Sequence, residues 1–425
     1  MEEGGGNILP FKYPVLDFLF TVVGLVFFLL DIVLDIWAVV SFYQEEAYVY
    51  MGLLVFLLVG SSLLVQAFSL LWFLYDTDGK ETKTESLVKN ISSLKVLHVF
   101  QMGVFLRYAG VVRISICGFC CKKPYEGESV FQTHDLNMLR LFETFAESAP
   151  QLVLMLTVVI RSGVMEVITL LKTLGSVGAI SVSVTMYHRS LRNFLPDKIK
   201  QGWGSSVVYF LWNLLLIGPR VAAVALFTSV FPCYIAAHFL SYWMVLFFFV
   251  RCCKTDFMEG TGGECLYRAT VGLILYFSWF NVERGQSRWK STFYHIWIAV
   301  DIGMLCGLWV WQMKINPPYF DLPLDPYVIL GLMMSLYLAG LGLMGIYYKY
   351  CHPNTTQSMN QPEEPMMCLM ATSHGEDEVD FRSMTRTLHG EDEVDFRSMT
   401  RSTEHPKAVA RVNKRMKNLA DNFYS

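Results

Sequence analysis

The sequence predicts an all-α polytopic membrane protein with eight transmembrane helices and two re-entrant helices, arranged as two parallel pseudo-repeats. Three observations lead to this fold class. Of 425 residues, 53% are hydrophobic and 17% are charged, whereas soluble proteins carry roughly 25% charged residues. Several apolar stretches are about 20 residues long, the length that crosses a bilayer core as a helix. Lysine and arginine collect in alternate loops, as they do in loops that face the cytoplasm.

Apolar length defines the predicted spans, because a helix pairs every backbone amide internally and hydrocarbon offers no other partner. The first apolar stretch is too long for a signal-peptide core, so we expect it to be retained as a helix. The eight predicted spans run over Asp17 to Tyr43, Val49 to Tyr75, Leu139 to Ile160, Val164 to Tyr187, Val207 to Phe231, Tyr234 to Val250, Phe293 to Met313 and Val328 to Tyr350.

Basic residues follow the even-numbered spans, and the links after spans one, three and five carry almost none. Cytoplasmic loops are enriched in lysine and arginine. We therefore expect the even-numbered spans to end inside and both termini to be cytoplasmic. The basic residues that carry this prediction are Lys80, Lys83, Lys89, Lys95, Arg189, Arg192, Lys198, Lys200, Arg251 and Lys254.

Two further stretches, Val96 to Val112 and Tyr267 to Val282, have basic residues on both sides. Both ends of each stretch then belong in the cytoplasm, so we expect two re-entrant helices covered by surrounding protein. An alternative is that Tyr267 to Val282 crosses the membrane fully. With re-entrant helices, the same order of elements occurs twice, as in transporters with parallel repeats. The predicted units are a first membrane repeat (1–203), a second membrane repeat (204–350) and a disordered cytoplasmic tail (351–425).

Carboxylates share one face of the first predicted span. Asp35 lies 18 residues beyond Asp17, which is five helical turns, and Asp31 lies within about 40° of both. The stripe rises about 27 Å, nearly the full hydrocarbon thickness. Each buried carboxylate costs about 2.5 to 3.5 kcal/mol on insertion scales, so these side chains must face protein or water.

Further charges lie in the third, fifth and seventh predicted spans, and the whole set contains six acids but only two arginines. Structural ion pairs therefore cannot neutralise every acid, although they can neutralise some. We predict a polar path on which carboxylates contact the cationic nitrogen of a phospholipid headgroup and arginine contacts its phosphate. A solute transporter, an ion channel or a non-transporting scaffold remain alternatives. The predicted path residues are Asp17, Asp31, Asp35, Arg140, Glu143, Glu147, Arg220 and Asp301.

Several function classes are not expected. The chain contains no GxxxxGK[ST], HExxH or GxSxG pattern, so neither ATP-driven pumping nor hydrolysis is predicted, and we expect no cofactor or metal. The net charge of -3 gives no reason to expect a nucleic-acid partner. The ten cysteines are scattered, which disfavours an outer disulfide framework. Cys117, Cys120 and Cys121 are expected to be free thiols, with acylation or metal binding as alternatives.

The polar tail carries the tetrapeptide DEVD twice. DEVD is the specificity pattern of executioner caspases, which cut after the final aspartate, and a disordered tail is accessible to proteases. We predict cleavage after Asp380 or Asp395, with an executioner caspase as partner. Cleavage after Asp395 removes the basic segment 396–425. Our hypothesis is that this segment docks on the acidic cytoplasmic mouth or the anionic leaflet and holds the path closed.

Three motifs resemble the XK-related family: LRLFETFAESAPQL from Leu139 to Leu152, SSVVYFLWNLLL from Ser205 to Leu216, and LYFSWFNVERG from Leu275 to Gly285. The similarity extends from the first span to about Pro353, and the late tail from Arg415 to Phe423 resembles that of a caspase-activated member. The resemblance implies phosphatidylserine exposure in dying cells and a plasma-membrane location. It also implies a single-pass immunoglobulin-like chaperone of the basigin or neuroplastin type.

The resemblance also assigns roles to individual positions. Where relatives tend to have aspartate before the Tyr-His pair that ends the fourth span, this chain has Met186. Any path that requires an acid at that position is therefore not expected here. The positions that match charged sites of the family's lipid path are Asp17, Asp31, Asp35, Glu143, Glu147, Arg220 and Asp301.

Overall fold

The computed structural model describes residues 15–75, 91–121, 126–163, 167–194, 201–253, 255–258, 260–282, 288–316 and 324–351. All regular structure within these ranges is helical. The helices are α1 (Val15–Gln44), α2 (Tyr48–Tyr75), α3 (Ile91–Val99), α4 (Gly103–Cys121), α5 (Glu126–Glu143), α6 (Ala149–Ser162), α7 (Val167–Phe194), α8 (Trp203–Val230), α9 (Ile235–Cys252), α10 (Thr261–Phe277), α11 (Arg288–Ile315) and α12 (Pro326–Ile346), with π-helical turns at Thr144–Ser148 and Tyr347–Cys351.

Seven segments within the described residues are long and apolar enough to cross a bilayer. The prediction of an all-helical, multi-span membrane protein is therefore confirmed. The segments are Gly24–Gln44 in α1, Tyr48–Tyr75, Gln132–Ser162 across α5 and α6, Trp203–Val230, Ile235–Cys252, Arg288–Ile315 and Pro326–Cys351.

The first predicted re-entrant stretch forms two helices instead of one. α3 ends at Val99 and α4 begins at Gly103, and Gln101 between them adopts a left-handed conformation with φ of 65°. A Cβ atom at Gly103 would lie 2.3 Å from the His98 ring, so this sharp break requires glycine. The Gln66 side chain donates a 3.0 Å hydrogen bond to the Gln101 carbonyl, which attaches the break to α2.

The second predicted re-entrant stretch, Tyr267 to Val282, overlaps α10, which begins six residues earlier at Thr261 and has 17 residues. Its side chain at Glu264 accepts hydrogen bonds from the backbone N–H groups of Phe257 (3.0 Å) and Met258 (2.8 Å). The Arg268 guanidinium approaches the same carboxylate at 3.2 Å. These contacts fix the segment before α10, because a carboxylate that accepts several hydrogen bonds resists reorientation.

α8 lies at the centre of the helix packing. It contacts α6, α7, α11 and α12 extensively, and its small residues Ala223 and Ala225 are fully buried. Small side chains let helix axes approach closely in membranes. A Cβ atom at Gly340 of α12 would lie 2.8 Å from the Leu216 side chain, so these two helices approach at a glycine. Arg220 lies in the second half of α8, and the central position of this helix buries its side chain completely.

Candidate intramembrane charged site

Three carboxylates from α1 and the π-helical turn after α5 converge inside the membrane-spanning region. We call Asp31, Asp35 and Glu147 the acidic cluster, because one carboxylate oxygen from each lies within 4.8 Å of the other two. Asp35 and Glu147 are buried, and Asp31 is half-buried. The Gln151 side chain of α6 donates a 2.8 Å hydrogen bond to Asp35 Oδ1. This bond joins α1 to α6 directly beside the cluster.

The π-helical turn that carries Glu147 has a local cause. Pro150 has no N–H, so it cannot donate the usual α-helical hydrogen bond to the carbonyl of Ala146, and its ring crowds that carbonyl. The turn widens before the proline, and the Ala149 N–H bonds instead to the Thr144 carbonyl. π-helical turns are frequent at functional sites. The widened turn changes the angular spacing of the acids that precede α6.

Arg140 lies near the acidic cluster but is already paired. Its Nη1 atom lies 3.2 Å from Glu143 Oε2, one helical turn away. The guanidinium also stacks over the Phe28 ring at 5.1 Å from the ring centroid. Its charge is therefore shared first with Glu143. Within the described side chains of this region, the three carboxylates of the cluster remain without a dedicated cationic partner.

The acidic cluster has a definite chemical capacity. Three carboxylates in close proximity repel one another unless they bind protons or a cation. Carboxylate oxygens are the ligands that hard divalent cations prefer, and Asp31, Asp35 and Glu147 could each supply one. They could equally contact the ammonium group of a lipid headgroup. The arrangement fits any ligand that brings positive charge to this depth.

Arg220 and Asp301 form a second charged group with different partners. Arg220 is 0% exposed, donates to Asp301, and donates a 3.0 Å hydrogen bond to the Tyr276 carbonyl. The other Asp301 oxygen lies 3.2 Å from His238 Nε2, and His238 Nδ1 lies 3.1 Å from the Tyr276 hydroxyl. Both oxygens of Asp301 are therefore engaged, and this ion-pair network connects α8, α9, α10 and α11. Arg220 Nη2 is buried without a hydrogen-bond partner among the described residues.

The predicted path residues thus fall into two groups. The structure brings together Asp31, Asp35, Arg140, Glu143 and Glu147, whereas Arg220 and Asp301 pair with each other elsewhere. The side chain of Asp17 and both predicted cleavage positions, Asp380 and Asp395, lie outside the described residues.

A third charged group was not predicted from the sequence. Arg107 of α4 lies 3.3 Å from Asp135 of α5. It also donates to the Ser69 hydroxyl at 2.9 Å and to the Ser69 carbonyl at 3.0 Å. His98 Nε2 lies 3.0 Å from the same hydroxyl. An arginine inside an apolar stretch was the available signal, but only the folded chain brings Asp135 and Ser69 to it.

Comparisons with known proteins identify relatives that match most of this chain. The family model "XK-related protein" matches residues 19–353. The chain is 42% identical to XK-related protein 8 of Gasterosteus aculeatus over 355 residues, which cover 80% of this chain and 85% of that protein. It is 41% identical to XK-related protein 8 of Tetraodon nigroviridis over 347 residues (81% and 85% covered). It is 38% identical to XK-related protein 8 of Pan troglodytes over 341 residues (80% and 84% covered).

The matched range includes every described helix except the first turn of α1. It also includes the acidic cluster, the Arg220–Asp301 pair and the Arg107 group. A family model that matches most of the chain, together with relatives of this identity and coverage, confirms the predicted resemblance. The chain belongs to the XK-related family.

Proposed function

We propose that this protein is a caspase-activated, ATP-independent phospholipid scramblase that exposes phosphatidylserine at the plasma membrane of dying cells. The observation that carries the proposal is the acidic cluster, in which three intramembrane carboxylates lie within 4.8 Å of one another. Ionisable residues inside a membrane-spanning region are costly and mark paths for polar substrates. If these carboxylates only stabilised the fold, we would expect each to have a cationic partner, as Asp301 is paired with Arg220.

The chemistry of a phospholipid headgroup suits this region. Its cationic nitrogen is attracted to the carboxylates of Asp31, Asp35 and Glu147. Its phosphate can approach Arg140, whose planar guanidinium can bind a phosphate with two hydrogen bonds. Each contact replaces water that the headgroup loses in the hydrocarbon. The headgroup then moves between leaflets while its acyl chains remain in lipid. No covalent step or nucleotide is required.

The proposed topology places eight transmembrane helices and two re-entrant helices, α3–α4 and α10, in two parallel repeats. Both termini are cytoplasmic. Support for a re-entrant α3–α4 comes from the break at Gln101, which is attached to α2 by Gln66. Irregular backbone at membrane depth is tolerated where protein covers it. A single-pass immunoglobulin-like chaperone of the basigin or neuroplastin type is the proposed partner in the membrane.

Activation is proposed to follow cleavage after Asp380 or Asp395. The test is lipid scrambling in liposomes by the purified full-length protein, before and after treatment with an executioner caspase. Fluorescent phosphatidylserine and phosphatidylcholine report lipid movement in the absence of ATP. We expect scrambling only after cleavage, and none in Asp380→Ala/Asp395→Ala with caspase present. If scrambling is equally fast before and after cleavage, activation by caspase cleavage is refuted.

The alternatives give different results in the same liposomes. A channel or solute transporter produces ion or solute flux while the fluorescent lipids stay in their leaflet. A scaffold produces neither. In the cleaved protein, Asp31→Asn/Asp35→Asn is expected to slow scrambling at least tenfold. Glu45→Gln is the matched control, because Glu45 is an exposed acid that directly follows α1, the helix that carries Asp31 and Asp35. This variant should leave the scrambling rate unchanged.

A further inference from the structure

We propose that Cys252 and Cys265 are S-acylation sites, each of which accepts a long-chain fatty acyl group in thioester linkage at the cytoplasmic edge of the membrane. Both thiols are exposed and neither forms a disulfide. Cys252 is the last residue of α9, and Cys265 lies in the first turns of α10. The proposal concerns a covalent modification and does not depend on lipid scrambling.

The position of Cys252 on α9 points its thiol at lipid. Phe248 and Val245 precede it by four and seven residues, so all three lie within about 60° on one face of the helix. Phe248 is 52% exposed and Val245 is 58% exposed. In a membrane protein, an exposed apolar face of this kind contacts acyl chains. A fatty acyl group on Cys252 would extend along these two side chains without leaving the bilayer.

Cys265 reaches nearly the same depth on the neighbouring helix. α9 and α10 approach where a Cβ atom at Gly272 would lie 3.3 Å from the Phe247 backbone nitrogen, and the Trp243 indole donates to the Ala269 carbonyl at 2.9 Å. From that contact, Cys252 lies five residues onward and Cys265 seven residues back. At 1.5 Å per residue, the two cysteines differ in depth by about 3 Å. The two thiols therefore form one band at the membrane edge.

The surroundings of this band match those of acylated cysteines. Juxtamembrane cysteines are the usual acceptors of reversible S-acylation. Arg251, next to Cys252, is exposed, and the distribution of lysine and arginine predicts that this end of α9 faces the cytoplasm. Long-chain acyl-CoA, the acyl donor, is present on that side. An acyl chain at this edge would anchor the junction between α9 and α10 to the inner leaflet.

The reaction is a thioester exchange. The thiolate of the cysteine attacks the carbonyl carbon of acyl-CoA, a new bond forms between this carbon and cysteine Sγ, and the bond to the CoA sulfur breaks. The CoA thiolate takes up the proton that the cysteine thiol released. No oxidant or reductant is needed. A membrane-bound acyltransferase is the expected catalyst.

Other described cysteines provide contrasts within the same chain. Cys253 follows Cys252 directly, but it is half-buried and packs against the helical core. Cys306 is 0% exposed. Cys233 is exposed but lies before α9, at the opposite end of that helix, where acyl-CoA is not supplied. These differences in environment predict selective modification of Cys252 and Cys265.

The test is acyl-exchange labelling of the full-length protein expressed in cultured vertebrate cells. Free thiols are blocked, thioesters are cleaved with hydroxylamine, and each released thiol receives one polyethylene-glycol maleimide tag that is counted by gel mobility. Compared with the wild type, we expect one tag fewer in Cys252→Ser, one fewer in Cys265→Ser and two fewer in the double variant. Cys253→Ser and Cys233→Ser are the matched controls and should keep the wild-type count.

An equal tag count in the double variant and the wild type overturns the proposal. A loss of one tag supports the assignment for the cysteine concerned and overturns it for the other. Mass spectrometry of peptides from the wild type provides a measurement that no variant can disturb. Acyl groups found on both peptides support the proposal, and unmodified peptides at both positions overturn it.

Discussion

Asp301→Asn should destabilise the protein strongly, because Arg220 would lose the only carboxylate in its described surroundings. The guanidinium is 0% exposed and its described partners are Asp301, the Tyr276 carbonyl, and the rings of Tyr242 and Tyr276 at 5.2 and 4.7 Å. Removal of one member of a buried ion pair costs about 3 to 5 kcal/mol. Each 1.4 kcal/mol is a factor of ten. The unfolding equilibrium should therefore shift by about 10²- to 10⁴-fold.

The companion variant removes both charges together. Arg220→Met/Asp301→Leu leaves no buried ion without a partner, and apolar replacement of a buried ion pair is often neutral or stabilising. The assay is SDS-induced unfolding of the purified protein in mixed micelles, which gives the free energy of unfolding for Asp301→Asn, for Arg220→Met and for the double variant. We expect the double variant to recover most of the loss.

Two results would refute this reasoning. If Asp301→Asn were as stable as the wild type, the buried guanidinium would not need its carboxylate partner. If the double variant were as unstable as the single variants, the pair would have a role that apolar packing cannot replace.

Three further predictions concern the acidic cluster and the helix breaks. Asp31→Asn/Asp35→Asn should leave the free energy of unfolding unchanged or raise it, because it removes like-charge repulsion, while scrambling in liposomes falls at least tenfold. Gly103→Ala should lower stability in SDS titration by about 1 to 3 kcal/mol, since the added Cβ would lie 2.3 Å from the His98 ring. Pro150→Ala restores a helical N–H, so the π-helical turn should narrow; we expect equal or higher thermal stability but slower scrambling.

Matched controls separate these effects from general damage. Glu45→Gln removes an exposed acid and should change neither stability nor scrambling. Gly178→Ala adds a Cβ where no atom lies within 4 Å, so it should be neutral or stabilise α7 by about 0.5 to 1 kcal/mol. A large stability loss in Asp31→Asn/Asp35→Asn, a neutral Gly103→Ala, or unchanged scrambling in Pro150→Ala would each contradict the corresponding prediction.

Much of the fold was predictable because membrane helices obey local rules. Apolar length locates a span without knowledge of its neighbours, and the predicted second, fifth and sixth spans end within a few residues of α2, α8 and α9. The third span is longer than predicted, because the helix continues from Glu126 through the π-helical turn to Ser162. The polar side chains in the first turns of α5 explain why a prediction based on apolar length did not include them. The break at Gln101 was also missed, since it depends on close contact with His98 and Gln66.

The sequence by itself determined the membrane class and the helical content, because hydrocarbon requires every backbone amide to be paired within its own segment. Only the tertiary structure decided which charges are neutralised. Asp301 meets Arg220 across 81 positions, and Asp35 meets Gln151 across 116. Such partners depend on which helices become neighbours, a property of packing that the spacing of residues along one helix does not contain.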